Sequence, residues 1–249
     1  MQPATMKNTF CLWLVLCLTI TAFAQESPPD PQTNVSIKWA PTGLILGSLS
    51  LQAEYNFGSR NSLTAKIGLP VNVKHTFTYD DGDVGFTMKA TSFLAGYRTY
   101  LSKKHMRGFY YEPFFKYVHH TSEGTGVGTL YNRSTTFSFT NNYNGVGVGI
   151  QLGTQFLIKK RFVLDLFFLG PEINSASNSF KATEMLNPVP WSHYEAKDAE
   201  MVTREFIAQF PFIRKNTTVM VDRENKRILA DFKGALPGIR AGFSLGFTF

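Results

Sequence analysis

Two residues of this 249-residue chain have the types and the spacing of a base and a nucleophile. In His120-Thr121-Ser122 the histidine and serine lie two positions apart. Extended backbone would project both from one face, as a general base and the hydroxyl it activates require. The simpler reading is a polar stretch that holds two histidines, His119 and His120, beside a serine. Asp80-Asp81-Gly82-Asp83 offers carboxylates to a cation, but a calcium loop needs more ligands at regular spacing and a distal glutamate, which are missing. Gly124 to Gly128 is glycine-rich, yet it does not join a strand to a helix as a phosphate cradle must. Both cysteines, Cys11 and Cys17, fall within the first 24 residues. Beyond them there is no thiol for catalysis, zinc or a disulfide. No metal site and no cofactor is expected.

The other groups with chemical potential are charges, and periodicity orders them. Large apolar residues alternate with small or polar ones in eight segments, the mark of half-buried strands. The first sets Val35, Ile37 and Trp39 against Ser36 and Lys38. Leu49 to Phe57, Leu63 to Leu69, Phe93 to Leu101, Phe109 to Tyr117, Val146 to Phe156 and Phe162 to Phe168 follow. The last sets Ile239, Ala241, Phe243, Leu245, Phe247 and Phe249 against Arg240, Gly242, Ser244, Gly246 and Thr248. Parity puts Lys38, Glu54, Lys66, Arg98, Glu112, Lys116, Asp165 and Arg240 together on the polar face. Mixed charges in a narrow interior must pair or hydrate, because removing one partner of a buried pair costs about 3–5 kcal/mol. An ion network is therefore expected, with Glu54, Glu112 and Asp165 as candidate partners of Arg240. A catalytic carboxylate pair would need more than parity to support it.

Composition and the chain ends restrict where such strands could work. Met6-Lys7-Asn8, the apolar run Phe10 to Ile20 and the small-x-small site Ala22-Phe23-Ala24 read as a secretory leader over 1–24, cut after Ala24. Residues 25–33, rich in proline, read as a flexible segment. Removing Lys7 from the 25 basic residues leaves 24 against 18 acidic ones, a net charge of +6. An exported basic chain fits an anionic lipid surface better than nucleic acid. No window beyond the leader is apolar enough for a helical span of about 20 residues. A membrane protein without such a window must close its strands into a barrel, since lipid leaves no partner for an unpaired backbone group. The 23 phenylalanines and 10 tyrosines suit its greasy, aromatic outside.

Connections alternate in length. Those at 58–61, 102–107 and 158–161 are short, and those at 70–86, 119–143 and 170–237 read as long loops. Within the last, Ser192 and Glu195 form a capping-box signature. Ala199, Val202, Phe206 and Phe210 then recur at helical spacing up to Pro211, and 218–221 with 227–232 make a hairpin. The fold class expected is all-β: an eight-stranded antiparallel up-and-down transmembrane β-barrel over 34–249. A small helix-plus-hairpin insertion at 170–237 would occupy its last extracellular loop.

The ending Phe243, Leu245, Phe247, Phe249 resembles the C-terminal assembly signal of bacterial outer-membrane barrels. With Ser36-Ile37-Lys38, Gly47 to Leu51, Ala53-Glu54-Tyr55 and Leu236 to Phe249, the chain resembles the small eight-stranded outer-membrane β-barrel proteins. Its long insertion before the last strand is similar to the Bacteroidota kind. The resemblance implies the outer membrane as location, with its lipid and lipopolysaccharide and the barrel-assembly machinery as partners. It also implies a non-enzymatic structural or surface-binding role toward an unidentified extracellular ligand. An eight-stranded lumen is filled by side chains, so a general porin is disfavoured. His120-Thr121-Ser122 is similar to the His-x-Ser element of outer-membrane lipid A deacylases, with Glu123 where that family has asparagine, and would imply a lipid-modifying hydrolase. A soluble exported lipocalin-like binder is a third reading, and it would need an apolar interior.

Overall fold

The computed structural model describes residues 34–79 and 82–249. The expected leader at 1–24, the segment 25–33 and the carboxylates of Asp80 and Asp81 lie outside the described residues. Ten strands form in chain order: β1 (Val35–Ala40), β2 (Ser48–Asn56), β3 (Asn61–Pro70), β4 (Val73–Tyr79), β5 (Gly82–Tyr100), β6 (Gly108–Leu130), β7 (Arg133–Ile158), β8 (Phe162–Glu184), β9 (Thr217–Asp222) and β10 (Arg227–Thr248). Among the described residues, three helices accompany them: α1 (Thr42–Ile45), α2 (His193–Ala208) and α3 (Pro211–Arg214).

Eight strands make a closed antiparallel ring in the order β1-β2-β3-β5-β6-β7-β8-β10, and β10 pairs back to β1. Closure rests on Ser36 opposite Thr248, Ile37 opposite Phe247, Lys38 opposite Gly246 and Trp39 opposite Leu245. It is completed where Phe249 donates its backbone N–H to the Val35 carbonyl at 2.8 Å. Each residue on these strands therefore faces either into the ring or out of it. The alternation read from sequence corresponds to that division.

The strands differ greatly in length, and the sequence reading missed this. β1, β2 and β3 have 6, 9 and 10 residues, whereas β6, β7 and β8 have 23, 26 and 23. At about 3.3 Å per residue, β6 alone is about 75 Å long. Two stretches expected to be loops, 70–86 and 119–143, are largely strand, and the hairpin expected within 170–237 forms between β9 and β10. Residues 119–143 continue β6 and β7 around the two-residue turn Tyr131-Asn132, whose φ angles of 46° and 62° are those of a type I′ hairpin. The 70–86 stretch contains β4, paired with β5, and the 170–237 stretch is entered by β8 and left by β10. Polar composition misled because serine, threonine and asparagine occupy the outward positions here. Threonine is nevertheless a good strand former.

Polarity reverses along these long strands. Near the short turns, the outward residues are apolar and exposed (Phe109, Tyr111, Phe115, Val148, Ile150, Phe243, Leu245), while Gln52, Glu54, Gln151 and Asp165 are buried inside. In the far half, Thr125, Thr140, Ser177, Ser179 and Lys233 are exposed outside, while Ala176, Ala182, Ala230 and Phe232 are buried inside. On the inner face of β6, the Gly124 Cα leaves room for the Phe86 side chain: a β-carbon there would come within 2.6 Å of it. The Phe86 and Phe139 rings meet with centroids 6.4 Å apart.

Helix α2 covers part of this apolar inner face. Ser192 caps it, accepting from the Glu195 N–H while Glu195 reaches back to the Ser192 N–H, so the expected capping box is present. Of the expected stripe, only Ala199 is buried. Ala199 and Ile207 are buried, packing in clusters with Trp191 and Leu130 and with Val219 and Ala230. Val202, Phe206 and Phe210 are exposed. Helical spacing admits either stripe, and the narrow one centred on Ala199 lets the helix approach the sheet closely.

Ring closure is sterically tight at Gly246, where a β-carbon would lie 2.0 Å from the Ile37 carbonyl oxygen. Gly246→Val is expected to abolish the compact, heat-modifiable species on gels. Gly58→Ala, at a position with nothing within 4 Å of the new atom, should leave it intact.

Candidate functional site

The interior near the short turns is occupied by one ion cluster built from seven of the eight ring strands. Lys38 on β1 donates to Glu54 Oε2 at 2.7 Å, to Asp165 Oδ2 at 2.8 Å and to Gln155 Oε1 at 2.8 Å. Arg98 on β5 donates through Nε to Glu112 Oε2 at 2.6 Å. Its Nη1 reaches Asp165 Oδ2 and Gln155 Oε1, each at 2.8 Å, and Glu54 Oε2 at 3.3 Å. Three hydroxyls complete the set. Tyr100 donates to Glu54 Oε1, Tyr110 to Asp165 Oδ1 and Thr64 to Glu112 Oε1, each at 2.6 Å. The Arg98 guanidinium also lies 3.7 Å from the centre of the Tyr110 ring.

Lys38, Glu54, Arg98, Glu112 and Asp165 are each no more than 1% exposed. Burial of such charges is tolerable only when they are paired and hydrogen-bonded. Here every carboxylate oxygen of Glu54, Glu112 and Asp165 accepts at least one hydrogen bond. The three carboxylates are thus engaged within the cluster, as an interior ion network requires. β10 contributes only Ser244 and Gly246 at this level, leaving room for the long side chains opposite.

The three other charges expected on the inner face are placed differently. Lys116 pairs with Glu172 at 2.5 Å, farther from the short turns. Arg240 lies opposite Gly170, four residues along β10 from Ser244, which pairs with Asp165. It therefore does not reach its expected partners Glu54, Glu112 and Asp165. Its guanidinium instead sits 4.9 Å from the Phe114 ring centre and 5.1 Å from that of Phe167. Lys66 Nζ is 5.6 Å from the same Phe167 ring. Parity places Thr64, Tyr100, Tyr110 and Gln155 on the inner face, and sequence reasoning missed only their part in the network. Only formal charges had been sought.

His120 and Ser122 share the inner face of β6, with His120 between Ala90 and Tyr143 on the flanking strands. No hydrogen bond joins them, and the His120 Nε2 is buried without a partner. Phe243, Leu245, Phe247 and Phe249 face outward and are exposed, with Phe247 packed on Phe162 at 4.5 Å between ring centres. Among the described residues, no three His, Asp or Glu side chains gather as metal ligands.

A second buried carboxylate secures the far half. Glu184, at the end of β8, accepts from Thr135 Oγ1 at 2.7 Å and from Trp191 Nε1 at 2.5 Å, and pairs with Arg133 at 2.8 Å. Burial alone would raise its pKa. The three donors outweigh that and hold it below the ordinary glutamate value.

No protein-family model matches the chain, and neither a curated protein nor a solved structure matches it.

Two outcomes follow from the carboxylates. Arg98→Met leaves Glu112 without its cation and should lower stability to urea by about 3–5 kcal/mol. Combining it with Glu112→Leu should recover a large part of that loss, which a double-mutant cycle would measure. Because the folded pKa of Glu184 is depressed, its contribution is complete above the unfolded glutamate pKa of about 4.3 and fades as pH falls below it. In a Trp39→Phe background, acid titration should release Trp191 fluorescence in that window. Glu184→Gln should remove the acid step.

Proposed function

We propose that the chain is an integral outer-membrane β-barrel protein without enzymatic activity, serving a structural or surface-binding role. The observation that carries this reading is the reversal of polarity along the long strands. Apolar outward residues run from Phe109 to Tyr117 on β6, from Val146 to Ile158 on β7 and from Phe162 to Ile173 on β8. A tilted strand needs about 9–11 residues to cross the hydrocarbon layer, and these runs are of that size. Beyond the band, the outside turns to serine, threonine and asparagine, as a wall leaving lipid for water would. A soluble barrel that carries an apolar ligand would have the opposite arrangement at this level, an apolar interior and a polar exterior. No helix among the described residues is long and apolar enough to cross a membrane, so crossing would fall to the strands.

In this reading, Val35, Phe249 and the short turns lie at the periplasmic end, and the far half with α2 stands outside the cell. The exposed aromatics ending at Phe249 would be the feature read by the barrel-assembly machinery, with lipopolysaccharide around the outer rim. The ion cluster argues against a general pore. For surface binding, the supporting feature is the exposed stripe of Val202, Phe206 and Phe210 on α2 and the turn after it, where two rings touch with centroids 5.3 Å apart. The lipid A deacylase reading rests only on His120 and Ser122 sharing a face. It would gain from altered lipid A masses when the gene is deleted.

Fractionation with gel mobility tests the proposal. The protein is expected in the outer-membrane fraction, migrating faster unheated than boiled, and planar bilayers should show no stable nanosiemens openings. Recovery in the soluble periplasmic fraction would sink it.

A further inference from the structure

We propose that the ring interior just above the ion cluster binds a small monovalent anion between Lys66 and Arg240. Among the described residues at and just above the ion cluster, five cations face the interior, Lys38, Lys66, Arg98, Lys116 and Arg240, against four carboxylates, Glu54, Glu112, Asp165 and Glu172. One positive charge is left over. The pairings locate that excess. Lys38 and Arg98 share three carboxylates, a net −1, and Lys116 neutralises Glu172, so Lys66 and Arg240 carry the +2 that leaves the sum at +1. Among the described residues, Lys66 and Arg240 have no ion pair and donate no hydrogen bond to the protein. The Arg240 Nη1 is buried with no protein partner.

The two cations are nonetheless held in place. Both rest on the Phe167 ring, and Arg240 also rests on Phe114. Stacking on a ring positions a cation but leaves its N–H donors free and its charge uncompensated. The rings occupy this tier because the wall beside each is glycine: a β-carbon at Gly242 would lie 2.7 Å from Phe167, and one at Gly149 2.6 Å from Phe114. Two like charges that share one ring as their support, in a partly dry interior, repel each other. An anion between them supplies the missing partner. The leftover charge selects a single negative charge, since a divalent ion would reverse the sign of the interior. The class is therefore a halide or a small carboxylate. This inference needs only the ring interior and is independent of the membrane reading.

The test uses the refolded mature chain in uncharged detergent, with thermal midpoints taken in sodium chloride and sodium acetate, each against the bulky anion gluconate at equal ionic strength. Chloride-35 line broadening is measured in parallel, with acetate as competitor. Chloride is expected to raise the midpoint by several degrees and to show protein-dependent broadening. Displacement of that broadening by acetate at lower concentration than chloride would mark the carboxylate source, and failure to displace it the halide source. Lys66→Met and Arg240→Met should each abolish both signals. Each variant should also hold or raise the midpoint in gluconate, because it removes one of two repelling charges. Equal wild-type midpoints in all three salts, or a chloride effect that survives both substitutions, would overturn the proposal.

Discussion

The pairing of β1 with β10 is the contact on which the rest of the structure depends. Eight amphipathic strands left open would expose two unpaired backbone edges, and neither face of the sheet would be an interior. Joining Ser36–Trp39 to Leu245–Thr248 removes both edges in the ring. Only then does the period-two alternation of each strand become a distinction between inside and outside. The tolerance is small, since the β10 backbone at Gly246 approaches Ile37 too closely for any side chain.

Closure also creates the electrostatic problem that the interior solves in tiers. Charges forced into a narrow ring lose water, so the lowest tier holds three carboxylates and two cations in which every carboxylate oxygen is hydrogen-bonded. Tyrosine and threonine hydroxyls do as much of this as the cations do. One tier higher, the compensation is incomplete, and Lys66 and Arg240 are held by aromatic rings with no carboxylate in contact. Farther along, the ring interior gives way to an apolar face with α2 packed on it, secured by Glu184 holding Trp191. The same strands thus carry two cores of opposite character, one ionic and one apolar.

These two cores suit two surroundings. An ionic interior with a greasy exterior is the arrangement expected in lipid, and an apolar interior with a hydroxyl-rich exterior is the arrangement expected in water. On the outer-membrane reading, the boundary between them marks where the wall emerges, and the long strands act as a rigid stalk for α2 and its exposed stripe. On the same reading, the ion cluster would stiffen the lower half and oppose conduction through it.

Period-two alternation by itself determined that eight segments are ring strands and which residues face inward, because in extended backbone parity fixes the face. The Ser192 and Glu195 pair likewise determined the start of α2, since a capping box is a local hydrogen-bond pattern. Parity says nothing about height along the ring, and height decides which charges meet. Arg240 shares the parity of Asp165 but sits a tier away, after a register shift between Arg240 and Gly242 that no local pattern announced. The extensions of β6, β7 and β8 were read as loops because their outward residues are polar, which is what a strand wall facing water would show. Helical spacing pointed to Ala199, Val202, Phe206 and Phe210 as the packed stripe of α2, and of these only Ala199 is buried, joined by Ile207. Only docking decided it, because a helix's buried face is set by the side chains opposite: Leu130 and Trp191 take Ala199, and Val219 and Ala230 take Ile207.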